Sequence, residues 1–293
     1  MRLSGSRGLN LAKVGLVCAW FAIGSLLASA QVVGGIDLGV AGPGSWGVLA
    51  LGGSDASGFG SRATSVQFAG APPYGGISGS TANLGIAGTG RLQASSVSID
   101  GTYFKGSLTG TDSISHTTIY GGIQTGPDVD SNLASAASAA SAGLAAARAL
   151  PCNMGALCNT ALTSSMAIDP VYPGGQNVLV VTSIRLGNRA NVTLGGSPGT
   201  NWVVIVAGNL TLNSASISLA YGLTPLNGLL VVNGDVSTSG GLNNESAIDG
   251  VLIVPTGTAH FSPGMINGEM ITGGNQVAFA SGASVSTPGP VPE

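Results

Sequence analysis

Chemistry at a protein surface needs nucleophiles, acid–base pairs or metal ligands within reach of one another, and this 293-residue chain offers few candidates. Its two histidines are His116 and His260. His260 alternates with Ala259 and Phe261, a pattern that turns the imidazole outward from a strand. No nucleophile-elbow pattern surrounds any serine. The acidic residues are scattered, and one coincidence stands out: Asp249 and Glu269 each lie beside an Ile-x-Gly element, where turn residues cap the backbone. Cleaving a polysaccharide would require clustered carboxylates, often with calcium or a basic residue. The sequence therefore assigns no catalytic residue, no cofactor and no metal site, and a non-enzymatic protein is expected.

Other residue types suit binding. Thr193, Thr211 and Ser218 fall on predicted strands, and Thr256 with Thr258 precedes the last repeat. A flat face of small Thr, Ser and Ala side chains can order water, which makes these five a candidate face. They recur at no fixed offset, and threonine favours solvent-facing strand positions in any case. Tyr74, Tyr103 and Tyr221 read as exposed aromatics able to stack on sugar rings. Cys152 and Cys158 stand close together with no histidine or further cysteine nearby, so a local disulfide is expected rather than a metal site.

The N-terminus reads as an export signal. Arg2, Arg7 and Lys13 precede an apolar run, Val14–Leu27, and Ala28-Ser29-Ala30 marks cleavage between Ala30 and Gln31. That run is short of the roughly 20 apolar residues of a membrane span. Cys18 follows Val17 where a lipoprotein signal has a small residue, which argues against lipidation. No transmembrane anchor is expected in the chain as given. Without those three basic residues, six of the 9 Lys and Arg remain against 12 Asp and Glu, a net charge near −6. Such a chain has no footprint for nucleic acid and no polybasic patch for anionic lipid.

The elements that must position these residues follow from composition and repetition. Hydrophobic residues are 44% of the chain but aromatics only 5%, and 49 residues are glycine, which favours many short strands and tight turns. Ile248, Gly250, Ile253, Phe261 and Gly264 recur as Ile266, Gly268, Ile271, Phe279 and Gly282, each shifted by 18 residues. Weaker echoes stand at Ile77–Gly79, Ile99–Gly101 and Ile119–Gly121. A β-sandwich also has short strands and frequent turns, but the constant offset favours a solenoid. Within it, Ile253 and Ile271 are expected to point into the coils. Asp128–Leu150 breaks the pattern as an Ala-rich helix with Asp130 or Ser131 as N-cap and Pro151 as its stop. Leu133, Ala137, Ala140, Leu144 and Ala147 form its packing stripe.

The order of DLGVAGPGSWGVLALGG, a Gly-rich region, one Ala-rich helix and NVTLGGSPGTNWVVIVAGNLTLNSASISLAYGLTPLNGLLVVNG resembles the exported ice-binding-like proteins and the choice-of-anchor A group. The stretch VSTSGGLNNESAIDGVLIVPTGTAHFSPGMINGEMITGG is especially similar to exopolysaccharide-associated members. The resemblance implies an all-β fold, an irregular right-handed β-solenoid with one long helix packed along its side. Val291-Pro292-Glu293 resembles the opening of a PEP-CTERM sorting signal. The resulting expectation is a leader over residues 1–30, one solenoid domain over 31–285 with the helix at about 130–150, and a Pro/Gly-rich tail over 286–293. The leading functional expectation is a secreted or surface matrix protein binding an extracellular polysaccharide or matrix protein. The alternative is ice binding through a flat Thr/Ser/Ala face.

Overall fold

The computed structural model describes residues 31–52, 59, 64–70, 75–79, 82–241 and 244–288. The export signal, Tyr74 and the Val-Pro-Glu terminus lie outside these residues.

Short parallel strands stack into a β-solenoid whose coils have three faces, each a ladder of nine strands. The chain does not climb this stack in sequence order. Its first coil strand, Val48–Ala50, enters mid-stack, between Met270–Thr272 and Leu84–Ile86. Coils then follow to one end of the stack at Ile123–Thr125. Helix α1 (Pro127–Arg148) leaves from there, and the chain resumes at the opposite end with Ala161–Leu162 and Met166–Ile168. The C-terminal coils close the ring of order by pairing Gln276–Ala280 with Ser65–Ala69 and Ser284–Ser286 with Gly76–Ser78. At 1.5 Å per residue, the 22-residue helix is about 33 Å long, close to the roughly 38 Å that nine rungs occupy. One helix can therefore return the chain along nearly the whole stack.

The lumen is filled by aligned aliphatic residues. Val192, Ile217, Ile248, Ile266, Val285, Ile77, Ile99 and Ile119 fall in one register line, which joins the 18-residue repeat to its weaker echoes. Where the two sequence-remote halves meet, Phe68, Phe279 and Phe261 stack with centroids 4.8 and 4.9 Å apart.

A second apolar layer lies outside the coils. Strands Gln176–Val181, Asn201–Val206 and Gly228–Val232 are near-continuous Val, Ile and Leu runs because both their sides are buried. Leu179, Val204 and Leu230 point into the lumen, whereas Val178, Val203, Ile205, Leu229 and Val231 pack beneath α1 and the N-terminal segment. Ile253 and Ile271 belong to this outer layer, not to the lumen as the repeat suggested. The physical reason is the bend at Gly250 and Gly268 (φ 126° and 149°), which carries each nine-residue strand from one face to the next and resets its alternation.

Helix α1 buries Val129, Leu133, Ala136, Ala140, Gly143, Leu144 and Ala147 against this layer. A side chain on Gly143 would meet Leu38 at 2.5 Å, so glycine permits the close approach. The helix begins earlier than expected: Gly126 is the N-cap and makes no side-chain cap, so neither Asp130 nor Ser131 serves. Pro127 starts the first turn, where its missing N–H costs nothing, and Asp128 and Asp130 complement the helix dipole. Asp130 instead accepts the Ser107 N–H at 2.7 Å, and hydrogen bonding from the Ser107 side chain, then from this N–H, lowers its pKa.

Candidate functional site

The candidate acid–base groups do not converge. His260 is exposed on the coil face that carries strands Leu210–Asn213, Val236–Ser239 and Ala259–Ser262. His116 sits in a left-handed turn (φ 48°) of an end coil, also exposed. Asp249 faces outward and accepts hydrogen bonds from Asn267 Nδ2 (2.7 Å) and the Leu219 N–H (3.3 Å). Glu269 lies past the Gly268 bend, in register with Val251 of the outer apolar layer, and is completely buried. The two carboxylates therefore occupy different faces of adjacent coils. The expectation that both are turn residues fails: each lies within a nine-residue strand, and among the described residues the Glu269 carboxyl has no hydrogen-bond partner. Burial pushes its pKa well above the usual carboxylate range. Among the described residues, no group of three or more His, Cys, Asp or Glu is placed to hold a metal ion.

The five Thr and Ser candidates separate. Thr193 and Ser218 lie side by side in register on one face. Thr211 projects from another, and Thr256 and Thr258 occupy a corner. Thr256 Oγ1 donates to the Asn233 carbonyl, and Thr258 donates both its N–H and Oγ1–H to Asp235. Those two residues are spent on joining coils.

The three faces differ in what they present. The helix-covered face is occupied by α1. The face of Thr211 is mixed: one rank runs Arg185, Thr211, Ser237, His260, Ala278, Gln67 and Gln93. The face of Thr193 presents mostly small side chains, with Met265 the large exception in its first rank. Its first rank is Asn191, Ser216, Ala247, Met265, Ser284, Gly76, Ser98 and Thr118. Its second holds Ala167, Thr193 and Ser218, then Asp249, Asn267, Ser286 and Ser78 farther along the stack. Neighbouring rungs stand about 4.8 Å apart and the two ranks about 6.7 Å apart. Neither rank carries a cation.

Part of this face is held in place by its own hydrogen bonds. Ser216 and Ser218 donate to Asn191 Oδ1 at 3.0 and 3.1 Å, and Asn191 Nδ2 donates to Thr193 Oγ1 at 3.0 Å. The sequence search for Thr ranks missed most of this surface. The available signal was a triplet, small–aliphatic–small, recurring once per coil: Asn191-Val192-Thr193, Ser216-Ile217-Ser218, Ser284-Val285-Ser286 and Ser98-Ile99-Asp100. Coil lengths vary between these triplets, so no fixed offset reveals them.

Of the aromatics, Tyr74 lies outside the described residues and Tyr103 is not available at the surface. Tyr103 is fully buried in the lumen, with its hydroxyl toward Asp112, and its pKa is raised by burial and by that carboxylate. Tyr221 is 72% exposed at a corner. Cys152 and Cys158 are disulfide-bonded, with Cα atoms 6.0 Å apart.

These features define a β-solenoid with a single return helix and one bare, small-residue face. Solved structures share that fold, among them two ice-binding proteins. An ice-binding protein from an Antarctic Biological Consortium superposes with a TM-score of 0.52 at 17% identity, over 90% of this chain and 94% of the other. A glycosylated ice-binding protein (LeIBP) from Arctic yeast gives 0.50 at 20% identity, over 90% and 97%. No protein-family model matches the sequence, and no curated protein matches it. The likeness supports the ice-binding-like part of the resemblance in fold; nothing in it extends to the choice-of-anchor A group.

Proposed function

We propose that the chain is an exported, non-enzymatic protein that binds ice through its small-residue face. The observation that carries this reading is the pair of ranks, eight and seven residues long, free of cations and, among the described residues, covered by no other element. Ice presents a neutral lattice of water, so a surface that binds it must be flat, rigid and nearly free of strongly hydrated charged side chains; the two ranks hold one, Asp249, which is bonded to Asn267 Nδ2. Stacked coils hold a ladder flatter than an open sheet, and the Asn191–Thr193–Ser216–Ser218 bonds fix hydroxyls before any ligand arrives. Ordered water bridging such groups is nearly as favourable as direct contact. Both of those solved structures are ice-binding proteins, in agreement with this reading.

The adhesion or matrix reading loses one of its aromatics, since Tyr103 is buried, while Tyr221 remains exposed. Export is consistent with the Cys152–Cys158 disulfide, a bond that persists in oxidising compartments. Among the described residues, no helix is long and apolar enough to cross a membrane.

The test is ice-recrystallisation inhibition by residues 31–293, with a heat-denatured control. Activity should appear in the folded protein, fall at least tenfold in Ser218→Tyr, and persist in Thr211→Tyr on the mixed face. An inactive folded protein, or equal loss in both variants, would sink the assignment.

A further inference from the structure

The two ends of the solenoid are finished differently. At the end where α1 arrives, the disulfide loop covers strand Gln176–Val181. Asn153 donates its N–H to the Val178 carbonyl (3.0 Å) and accepts the Val178 N–H on Oδ1 (2.7 Å). Asn159 N–H donates to the Val180 carbonyl, and Val180 N–H donates to Cys152 Sγ. Met154, Leu157 and both cysteines pack onto the lumen. At the other end, Ser113–Ser115, Thr118–Ile119 and Ile123–Thr125 each pair on one side only. Their register partners Ala94, Ile99 and Tyr103 are buried. Ile114 and Ile123, by contrast, are 38% and 52% exposed, and Ile119 is half-buried.

Exposed strand edges are normally guarded by lysine, proline or inward-pointing charge. Residues 107–125 contain no Lys, Arg or Pro. Their one carboxylate, Asp112, is turned back to the Leu92 N–H, the Tyr103 hydroxyl and Lys105 Nζ. Among the described residues, the end is thus without a lysine or arginine guard, apolar at its centre and edged by unpaired strands on three sides.

We propose that this end pairs with the same end of a second copy of the chain, about a twofold axis across the stack. A head-to-tail copy would find only two free strands at the opposite end, Ala161–Leu162 and Met166–Ile168, because the disulfide loop covers the third, Gln176–Val181. The matching end of a second copy offers three free strands with an isoleucine each, and no lysine or arginine of residues 107–125 sets like charges against each other. Coil edges of this chain already join across sequence-remote segments mid-stack, where Gln276–Ala280 meets Ser65–Ala69. An axis through the small-residue face pairs strands of equal length. The three-residue Ser113–Ser115 then meets the partner's three-residue Ile123–Thr125, and Thr118–Ile119 meets its own copy. The two small-residue faces would run on into one another, a consequence that rests on the ice-binding reading, although the pairing itself does not.

Sedimentation velocity across the micromolar range reads the pairing without reference to ice. Both the full chain and residues 31–293 should sediment as dimers. Ile119→Lys and Ile123→Lys should each be monomeric with unchanged circular dichroism, and Thr118→Cys should trap a cross-linked dimer on mild oxidation. A wild-type monomer throughout, or a dimer that survives both lysine variants, would overturn the proposal. So would a full chain that stays monomeric while residues 31–293 dimerise, since the leader would then be the occupant. Loss of ice activity with dimers intact would count against the ice reading alone.

Discussion

The helix-covered face and the small-residue face are built from the same coils, and nine-residue strands such as Ser246–Val254 run directly from one to the other. Along that strand, the first part alternates half-buried Ala247 and Asp249 with buried Ile248, and the second part, Val251–Val254, is buried throughout. Backbone pairing is parallel and in register on both. Whether a face recruits a covering element is therefore decided by its outward side chains. Val203, Leu229, Val251 and Ile271 draw in the helix, whereas Thr193, Ser218 and Ser286 leave their face to solvent.

The sharpest way to break this comparison is to place the same charge on either face. Ile271→Asp puts an unpartnered carboxylate in the outer apolar layer, and thermal unfolding should show a loss of about 4 kcal/mol or more. An unchanged melting curve would show that this layer contributes nothing. The disulfide sharpens the picture at the covered end. Replacing Cys152 and Cys158 with alanine should lower stability by about 2 kcal/mol for so short a loop, read by urea denaturation.

Glu269 is the flaw in the apolar layer. The neighbouring strand carries Asp249, which is bonded to Asn267 and the Leu219 N–H and not to Glu269. Because folding raises its pKa, the folded state favours the protonated carboxyl. Stability is then complete below the ordinary carboxylate range and declines as pH climbs from that range toward the folded pKa, by about 1.4 kcal/mol per pH unit. Glu269→Leu should raise the melting temperature at pH 8 and leave it nearly unchanged at pH 4. Equal melting temperatures of wild type and variant at both pH values would contradict this account. The smallest effect belongs to the bare face: Ser218→Tyr should shift stability by no more than about 0.5 kcal/mol while abolishing ice activity.

Several elements were legible in the residues. The 18-residue repeat forecast the paired strands Ser246–Val254 and Gly264–Thr272, and the Ala-rich run forecast α1 with its buried Leu133, Ala140, Leu144 and Ala147. The Cys152–Cys158 bond followed from compartment and proximity. The bare face was legible only in fragments, Thr193 and Ser218, because coils of unequal length hide its triplets from any fixed spacing.

By itself the sequence determined local conformation: period-two alternation makes strands, alanine and leucine make a helix, and glycine makes corners. These are properties of neighbouring residues and need no knowledge of the rest of the chain. Tertiary structure alone decided which way Ile253 and Ile271 point, that Glu269 is entombed, that Thr211 and Thr193 look in different directions, and that the N-terminal coil enters mid-stack. Each of these depends on where the chain bends between faces and on which remote coil supplies the next rung. Such pairings are set by the total burial of the whole stack, a sum that no local window contains.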